Sequence, residues 1–250
     1  MGKGIMIYDF IIVGGGPAAA MEAEKLSSQH YSVLMIADML GGIMHVMGKE
    51  YLQSYCNELS LSNNDIKLEN YISDNALTPT GNEFTAYVSD VIEQANVKKE
   101  IGFVSYISKD NDVFCCDILK EGKPKKYQAK NVVIATGIKA NSVPSFMFGT
   151  NFMTCLDAYL FFRKERVNQF KNKRVVIVGS GNSAFQIARI AATFELEVTI
   201  LATSYLGLFP QETNDKFALR AQSQITIERI WKTQTEANFK PPQLLYLYQN

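Results

Sequence analysis

The stretch Asp9-Phe10-Ile11-Ile12-Val13-Gly14-Gly15-Gly16-Pro17-Ala18-Ala19 decides the fold of this chain. An apolar strand runs directly into a glycine turn. Pro17 then opens a helical stretch, at a position where its missing N–H costs little. A second copy begins 165 residues after the first: Arg174-Val175-Val176-Ile177-Val178-Gly179-Ser180-Gly181-Asn182-Ser183-Ala184. A strand that turns sharply into a helix leaves free backbone N–H groups at the helix start, where the dipole places roughly half a positive charge. A pyrophosphate fits that place. Gly14 permits the tight turn, and Gly16 removes the Cβ that would block the phosphate. The third position needs a small residue for close helix–strand packing, and it is Ala19 in one turn and Ala184 in the other. Two such turns predict two dinucleotide sites, and so a protein that moves electrons between two bound nucleotides.

Each turn lies inside a strand–turn–helix–strand unit, the context that gives a glycine motif its meaning. The first unit reads as strand Tyr8 to Val13, helix Pro17 to Leu26 and strand Val33 to Ala37. An acid near the end of the second strand serves the adenosine ribose in such units. Asp38, 22 residues beyond Gly16, is that candidate, with a plain loop aspartate as the other reading. The second unit reads as strand Arg174 to Val178, helix Ser183 to Phe194 and strand Glu197 to Leu201. It runs on as Ala202-Thr203-Ser204, without an acid for a ribose or an arginine for a 2′-phosphate, so NADH and NADPH both stay open.

Between the units, Gly41-Gly42 breaks the chain, and the Asn- and Ser-rich stretch Lys49 to Asn75 reads as surface loop or short helix. Glu83 to Ala95 has the three- and four-residue apolar spacing of a helix. Ile101 to Ile107 and Val113 to Leu119 read as strands joined by a polar turn, and Lys120 to Lys126 as a charged turn. Asn131 to Ala135 reads as a short buried parallel strand ending in Thr136-Gly137. Ser142 to Asn151 reads as a linker, Leu156 to Phe170 as a helix, and Ile225 to Ile230 as a further strand. The pattern predicts an α/β chain of two Rossmann-like three-layer dinucleotide-binding domains, residues 1–143 and 144–250. The last strand, Leu244 to Tyr248, resembles a hairpin strand without its partner, so the second domain is expected to be incomplete.

With 25 acidic and 25 basic residues the net charge is zero, which provides no field for nucleic acid or an anionic membrane. The N-terminus lacks the apolar run of a signal peptide. No apolar stretch reaches the roughly 18 residues a spanning helix needs. Neither a nucleic-acid nor a membrane partner is expected, and the expected location is cytoplasmic. Cys56, Cys115, Cys116 and Cys155 form no CxxC and match no zinc spacing, so no metal site is expected and the set reads as reduced cytosolic thiols.

The order of these pieces resembles the flavoprotein family of thioredoxin reductase and the pyridine nucleotide-disulfide oxidoreductases. The residues that carry the resemblance are 8–18, Gly41-Gly42, Asn131-Val132-Val133-Ile134-Ala135-Thr136-Gly137 and 174–184. In that family an FAD domain is interrupted by an NAD(P)H domain. The resemblance implies that Gly14, Gly16, Pro17, Ala18 and Ala19 cradle the FAD pyrophosphate and that Gly41 and Gly42 pass near the flavin. It places Val104 where a backbone group meets adenine, and Ala135, Thr136 and Gly137 at the closure of the FAD domain. Gly179, Gly181, Asn182, Ser183 and Ala184 would hold NADPH or NADH. The family's members are commonly dimers, which makes a homodimer the expectation from resemblance.

Three departures shape the expected activity. The segment Phe152-Met153-Thr154-Cys155-Leu156-Asp157 carries one cysteine where thioredoxin reductase carries a redox CxxC. Cys155 is a reactive thiol or a packed cysteine. The histidine-containing signature of flavin monooxygenases is missing, and the two histidines are His30 and His45. His45, three residues past Gly42, would sit near the isoalloxazine or serve as an ordinary loop histidine. No Gly-Asp dipeptide, the family's ribityl contact, occurs. The expectation is an FAD-dependent oxidoreductase that takes a hydride from NAD(P)H and passes electrons to a small-molecule or electron-carrier acceptor without a CxxC. A flavin-dependent monooxygenase and a non-catalytic nucleotide-binding protein or fragment are the alternatives.

Overall fold

The structure, a computed structural model, describes residues 6–52, 54–61, 66–73, 78–120, 122–138, 151–163, 173–179, 182–202 and 243–246. The chain divides into two units, Met1–Leu52 with Cys56–Lys139, and Gln53–Tyr55 with Ala140–Asn250.

In the first unit, strand β1 (Ile7–Val13) pairs in parallel with β2 (Val33–Ala37) on one side and β6 (Lys123–Ile134) on the other. The β2 strand also pairs in parallel with β3 (Lys98–Ile101). Helices α1 (Pro17–Ser28) and α3 (Gly81–Gln94) bury their apolar faces on one side of this sheet: Ala19, Ala20, Ala23, Phe84, Val88 and Ile92 pack with Ile12 and Met35. On the other side lies an antiparallel meander of β4 (Phe103–Asp110), β5 (Val113–Lys120) and the first half of β6. Cys116, Ile118 and Ala129 of the meander pack with Ile11, Val13, Leu34 and Ile36. Both faces of β2 are therefore covered, which is why all five of its residues are apolar and buried. Burying a side chain such as Ile12 or Leu34 contributes about 1.5–3 kcal/mol.

The meander corrects two expectations. Ile101 to Ile107 is two strands, because Gly102 separates the edge strand β3 from β4 of the opposite layer. The N–H of Gly102 donates to the Ala37 carbonyl at 2.8 Å and ends the parallel ladder. Lys123 to Lys126 is strand rather than turn, so the expected short strand at Asn131 is the last part of a 12-residue strand. Its first half pairs with β5 and its second half with β1, which ties two layers together. A polar clamp does the same. Glu100 of β3, only 8% exposed, accepts from Lys120 and Lys125 at 2.8 Å each and from the Tyr127 hydroxyl. These donors hold its carboxyl down at about 2. At the far end of β1, Asp9 accepts from the Ser32 N–H and hydroxyl and from Lys130, and these bonds hold its carboxyl well below the usual range.

The Lys49 to Asn75 stretch is more than surface loop. It contains the short helix α2 (Cys56–Leu59) and a 3-10 turn at Leu68–Tyr71. Leu52, Cys56 and Leu68 are buried in the helix-side core. The Leu61 N–H donates to the Tyr87 hydroxyl oxygen at 2.6 Å. Helix α3 starts in a capping box, in which the Thr80 hydroxyl accepts from Glu83 N–H and the Glu83 carboxylate accepts from Thr80 N–H.

In the second unit, α4 (Cys155–Arg163) precedes β7 (Arg174–Val178), α5 (Asn182–Thr193) and β8 (Glu197–Ala202). Strand β9 (Gln243–Tyr246) completes an all-parallel order β7-β8-β9. The expected hairpin strand at Leu244 is thus a parallel strand whose partner is β8. The expected linker at Ser142, apart from Asn151, and the strand at Ile225 lie outside the described residues, as does the helix reading beyond Arg163.

The two units repeat one another at a constant offset of 165 residues. Helix α1 spans 17–28 and α5 spans 182–193. Gly14 and Gly179 share φ +123°, a conformation that suits glycine. The Gly14 N–H donates to the Ile36 carbonyl and the Gly179 N–H to the Leu201 carbonyl, both at 2.8 Å. His30 and Glu195, each just past its helix, share a left-handed backbone with φ 63° and 59°.

Candidate functional site

The first glycine turn sits at the carboxyl ends of parallel strands, beside β1, where the strand order changes direction between β2 and β6. Open α/β sheets bind ligands at such a point. The glycines of this turn divide by what surrounds them. A Cβ at Gly14 would stand 2.1 Å from the Ala135 carbonyl oxygen, and one at Gly15 would stand 2.2 Å from the Met39 carbonyl oxygen. Both are required by the protein's own packing. A Cβ at Gly16 would meet only the Gly42 Cα, at an ordinary 3.6 Å. Gly16 has extended backbone, φ −89° and ψ −170°, that any residue adopts. Packing therefore leaves room at Gly16, and the glycine there keeps open space above the helix start.

That helix start is bare. Gly16 caps α1 without a side-chain hydrogen bond, and the first turn holds no acid. Pro17 has no N–H, and the first intrahelical bond runs from the Ala20 N–H to the Gly16 carbonyl. The amides of Ala18 and Ala19 have no intrahelical acceptor. Helices α3 and α4 are instead capped by their own side chains, Thr80 with Glu83 and Thr154 with Asp157. An anion such as a pyrophosphate fits the α1 position in charge and in space.

Gly41 and Gly42 belong to the same turn. The Gly41 N–H donates to the Gly15 carbonyl at 2.8 Å. A Cβ on Gly41 would enter Thr85 of α3, and one on Gly42 would meet Gly16 Cα at 2.9 Å and Pro17 Cδ at 3.2 Å. Their glycine character is thus explained by the close approach of the Gly41-Gly42 loop to α3 and to the first turn. Asp38 follows β2 directly. It is exposed and makes no hydrogen bond or ion pair among the described residues. Its neighbours Ala37 and Met39 are the residues packed on Gly15, which sets the carboxylate at the rim of the turn. Ala135 continues the β6 ladder through its N–H to the Val13 carbonyl, and Thr136 and Gly137 beyond it are exposed. Val104 opposes Ile118, and the ladder is disrupted between Val104 and Tyr106. Its side chain packs on the meander-side core.

His45 stands in a 3-10 turn, Ile43–Met47, with Nδ1 3.0 Å from the Gly42 carbonyl. A carbonyl only accepts, so Nδ1 carries the hydrogen. Burial pushes the thiols of Cys56 and Cys116 up to about 11, which makes them inert packed cysteines.

In the second unit, β7 leads to Gly179 and α5 opens at Asn182, with Ser183 exposed and Ala184 buried. Gly181 lies outside the described residues. Cys155, the first residue of α4, is exposed and free. No second cysteine occurs in this unit. Two residues that sequence reasoning does not single out meet where α4 packs on α5. The Tyr159 hydroxyl of α4 donates to Gln186 Oε1 at 2.6 Å, with both side chains buried. Spacing signals neither residue, because their meeting depends on how α4 packs on α5. Gly15 is a further residue outside the sequence-based candidates, although it adjoins two glycines of the motif. No group of three or more His, Cys, Asp or Glu residues arranged for a metal occurs among the described residues. No helix among them is long and apolar enough to cross a membrane.

The family model of the pyridine nucleotide-disulphide oxidoreductases matches residues 8–240. The F component of the alkyl hydroperoxide reductase of Staphylococcus aureus is 26% identical over 199 residues, which cover 77% of this chain and 33% of that protein. The chain thus spans about a third of the length of that curated relative. Among solved structures, a bacillithiol disulfide reductase from Staphylococcus aureus superposes with a TM-score of 0.67 at 16% identity, over 98% of this chain and 69% of that one. An ornithine N-hydroxylase from Kutzneria sp. 744 superposes with a TM-score of 0.72 at 15% identity, over 97% and 72%. These likenesses show a shared fold. By the family match, which extends over most of its length, the chain belongs to the pyridine nucleotide-disulphide oxidoreductases.

Proposed function

We propose that this chain is an FAD-dependent oxidoreductase that takes a hydride from NADPH or NADH. Electrons then pass to a small-molecule or electron-carrier acceptor without a CxxC relay. The observation that carries this is the bare start of α1. Gly14 and Gly15 are demanded by packing, whereas Gly16 leaves open the space in front of two amides that have no intrahelical acceptor. FAD fits there: the Ala18 and Ala19 amides would bind its pyrophosphate, and Asp38 would accept from its adenosine ribose. When bound, it supplies the two-electron chemistry that no side chain here has. The chain's own part is to bind, to orient and to hold the turn rigid. Gly42 against Gly16 and Pro17, and Ala135 against Gly14, do that. In the second unit, the Gly179 turn and the start of α5 would bind the nicotinamide nucleotide.

Cys155 without a second thiol in its unit supports direct transfer to an acceptor rather than a dithiol relay. The four free cysteines accord with a cytoplasmic location. The test is to purify the protein, saturate it with FAD and add NADPH or NADH without oxygen. Loss of the yellow colour is expected. A protein that takes up no FAD would overturn the proposal.

A further inference from the structure

Gly179 repeats the backbone conformation of Gly14, but its described surroundings differ. Gly14 is pinned by the Ala135 carbonyl at the end of β6, and Gly16 and Pro17 are backed by Gly42. At Gly179, a Cβ would meet nothing within 4 Å among the described residues. No described strand flanks β7 on the side where β6 flanks β1. The Gly179 N–H is held by the Leu201 carbonyl of β8, and beyond the turn the chain enters α5, which lies against α4.

The contact between these helices is specific. At the shared offset, Gln186 corresponds to Met21 of α1, yet Met21 is 50% exposed and Gln186 only 6%. What covers Gln186 is Tyr159, itself 4% exposed, whose hydroxyl donates to its Oε1 at 2.6 Å. Gln186 lies in the second turn of α5. Buried polar groups are costly unless paired. The phenol therefore ties α5 to α4 in a defined rotation at Gln186. Phe162 stacks on Phe194 at 5.9 Å and supplies packing to the same helix pair without such direction.

We propose that Tyr159 is a positioning residue for the nicotinamide nucleotide site, holding the start of α5 in phosphate-binding geometry through Gln186, one turn along the helix. This rests on the proposed use of the second glycine turn. Without the phenol hydroxyl, the amides at the helix start lose their alignment while the redox-active groups stay untouched. Affinity for the nucleotide then falls, and turnover at saturation does not.

The test measures NADP+ and NAD+ binding by calorimetry on the FAD-saturated protein, alongside melting temperature and steady-state kinetics with ferricyanide. Tyr159→Phe is expected to raise Kd and the nicotinamide KM about tenfold, the scale of one buried hydrogen bond. FAD content should stay unchanged and kcat within about twofold. Gln186→Leu, which removes the acceptor, should do the same. Phe162→Leu should lower the melting temperature and leave Kd where it was. If Tyr159→Phe binds nucleotide like the parent and lowers only the melting temperature, the residue is merely structural and the proposal fails. If the parent itself binds neither nucleotide, the second-site reading falls and this proposal falls with it.

Discussion

A Cβ on Gly14 would stand 2.1 Å from the carbonyl oxygen of Ala135, closer than real side-chain carbons approach backbone. Gly14 also holds φ +123°, which suits only glycine. Gly14→Ala is therefore expected to destabilise the protein by about 3 kcal/mol or more, from combined overpacking and backbone strain. Denaturant unfolding of the FAD-free protein measures this. A loss under about 1 kcal/mol would mean the turn is looser than described.

Gly16→Ala should behave in the opposite way. Its Cβ meets only Gly42 at contact distance, so stability without FAD should stay within about 1 kcal/mol of the parent. The added carbon occupies the space in front of the Ala18 and Ala19 amides, so FAD affinity should fall about tenfold or more. Equilibrium dialysis with FAD reads this. Unchanged affinity would move the pyrophosphate away from this helix.

Asp38 is exposed and has no partner among the described residues, so Asp38→Asn should leave the melting temperature of the FAD-free protein within about 2 °C of the parent, the expectation for a surface change. FAD affinity should drop about five- to tenfold, the scale of one charge-assisted hydrogen bond. FMN, which lacks the adenosine ribose, should bind parent and variant alike. Equal FAD affinity would make Asp38 a plain loop residue.

Glu100 sets a pH dependence. Its carboxyl is held at about 2, against 4.5 for a free glutamate, first by Lys120, then by Lys125 and Tyr127. Between these values the unfolded chain binds the proton and the folded one does not. Stability is therefore fully present above about pH 4.5 and is lost as pH falls toward 2. The lysines are about half exposed, so solvent screening holds the contribution to about 1–2 kcal/mol. Glu100→Gln should be less stable than the parent by that amount at pH 7, and the gap should close on acidification through this window. A gap that keeps its full size down to pH 2 would exclude the ionised clamp.

Much of this architecture is legible in the residues themselves. Strands β2 and β7 fall where their apolar runs end at Asp38 and Gly179. The 165-residue echo is visible in the sequence itself. Other features depend on tertiary structure. Gly102 marks a change of layer that alternation cannot reveal, because both flanking segments are strands. The lysines at 123, 125 and 126 read as a turn, yet the strand continues through them because Lys125 answers Glu100 across the layers and Lys126 meets Asp117. The capping box Thr80-Gly81-Asn82-Glu83 is readable and marks the helix start two residues before the expected one. The Tyr159–Gln186 pair is not, since one residue of each helix says nothing of the other.

Among all these, anaerobic addition of NADPH or NADH to the FAD-saturated protein tests most directly whether the two glycine turns serve one electron transfer. Bleaching of the flavin absorbance, with one equivalent of nicotinamide oxidised per flavin, is the expected result. Bound FAD that keeps its full absorbance in excess NADPH and NADH would contradict the account.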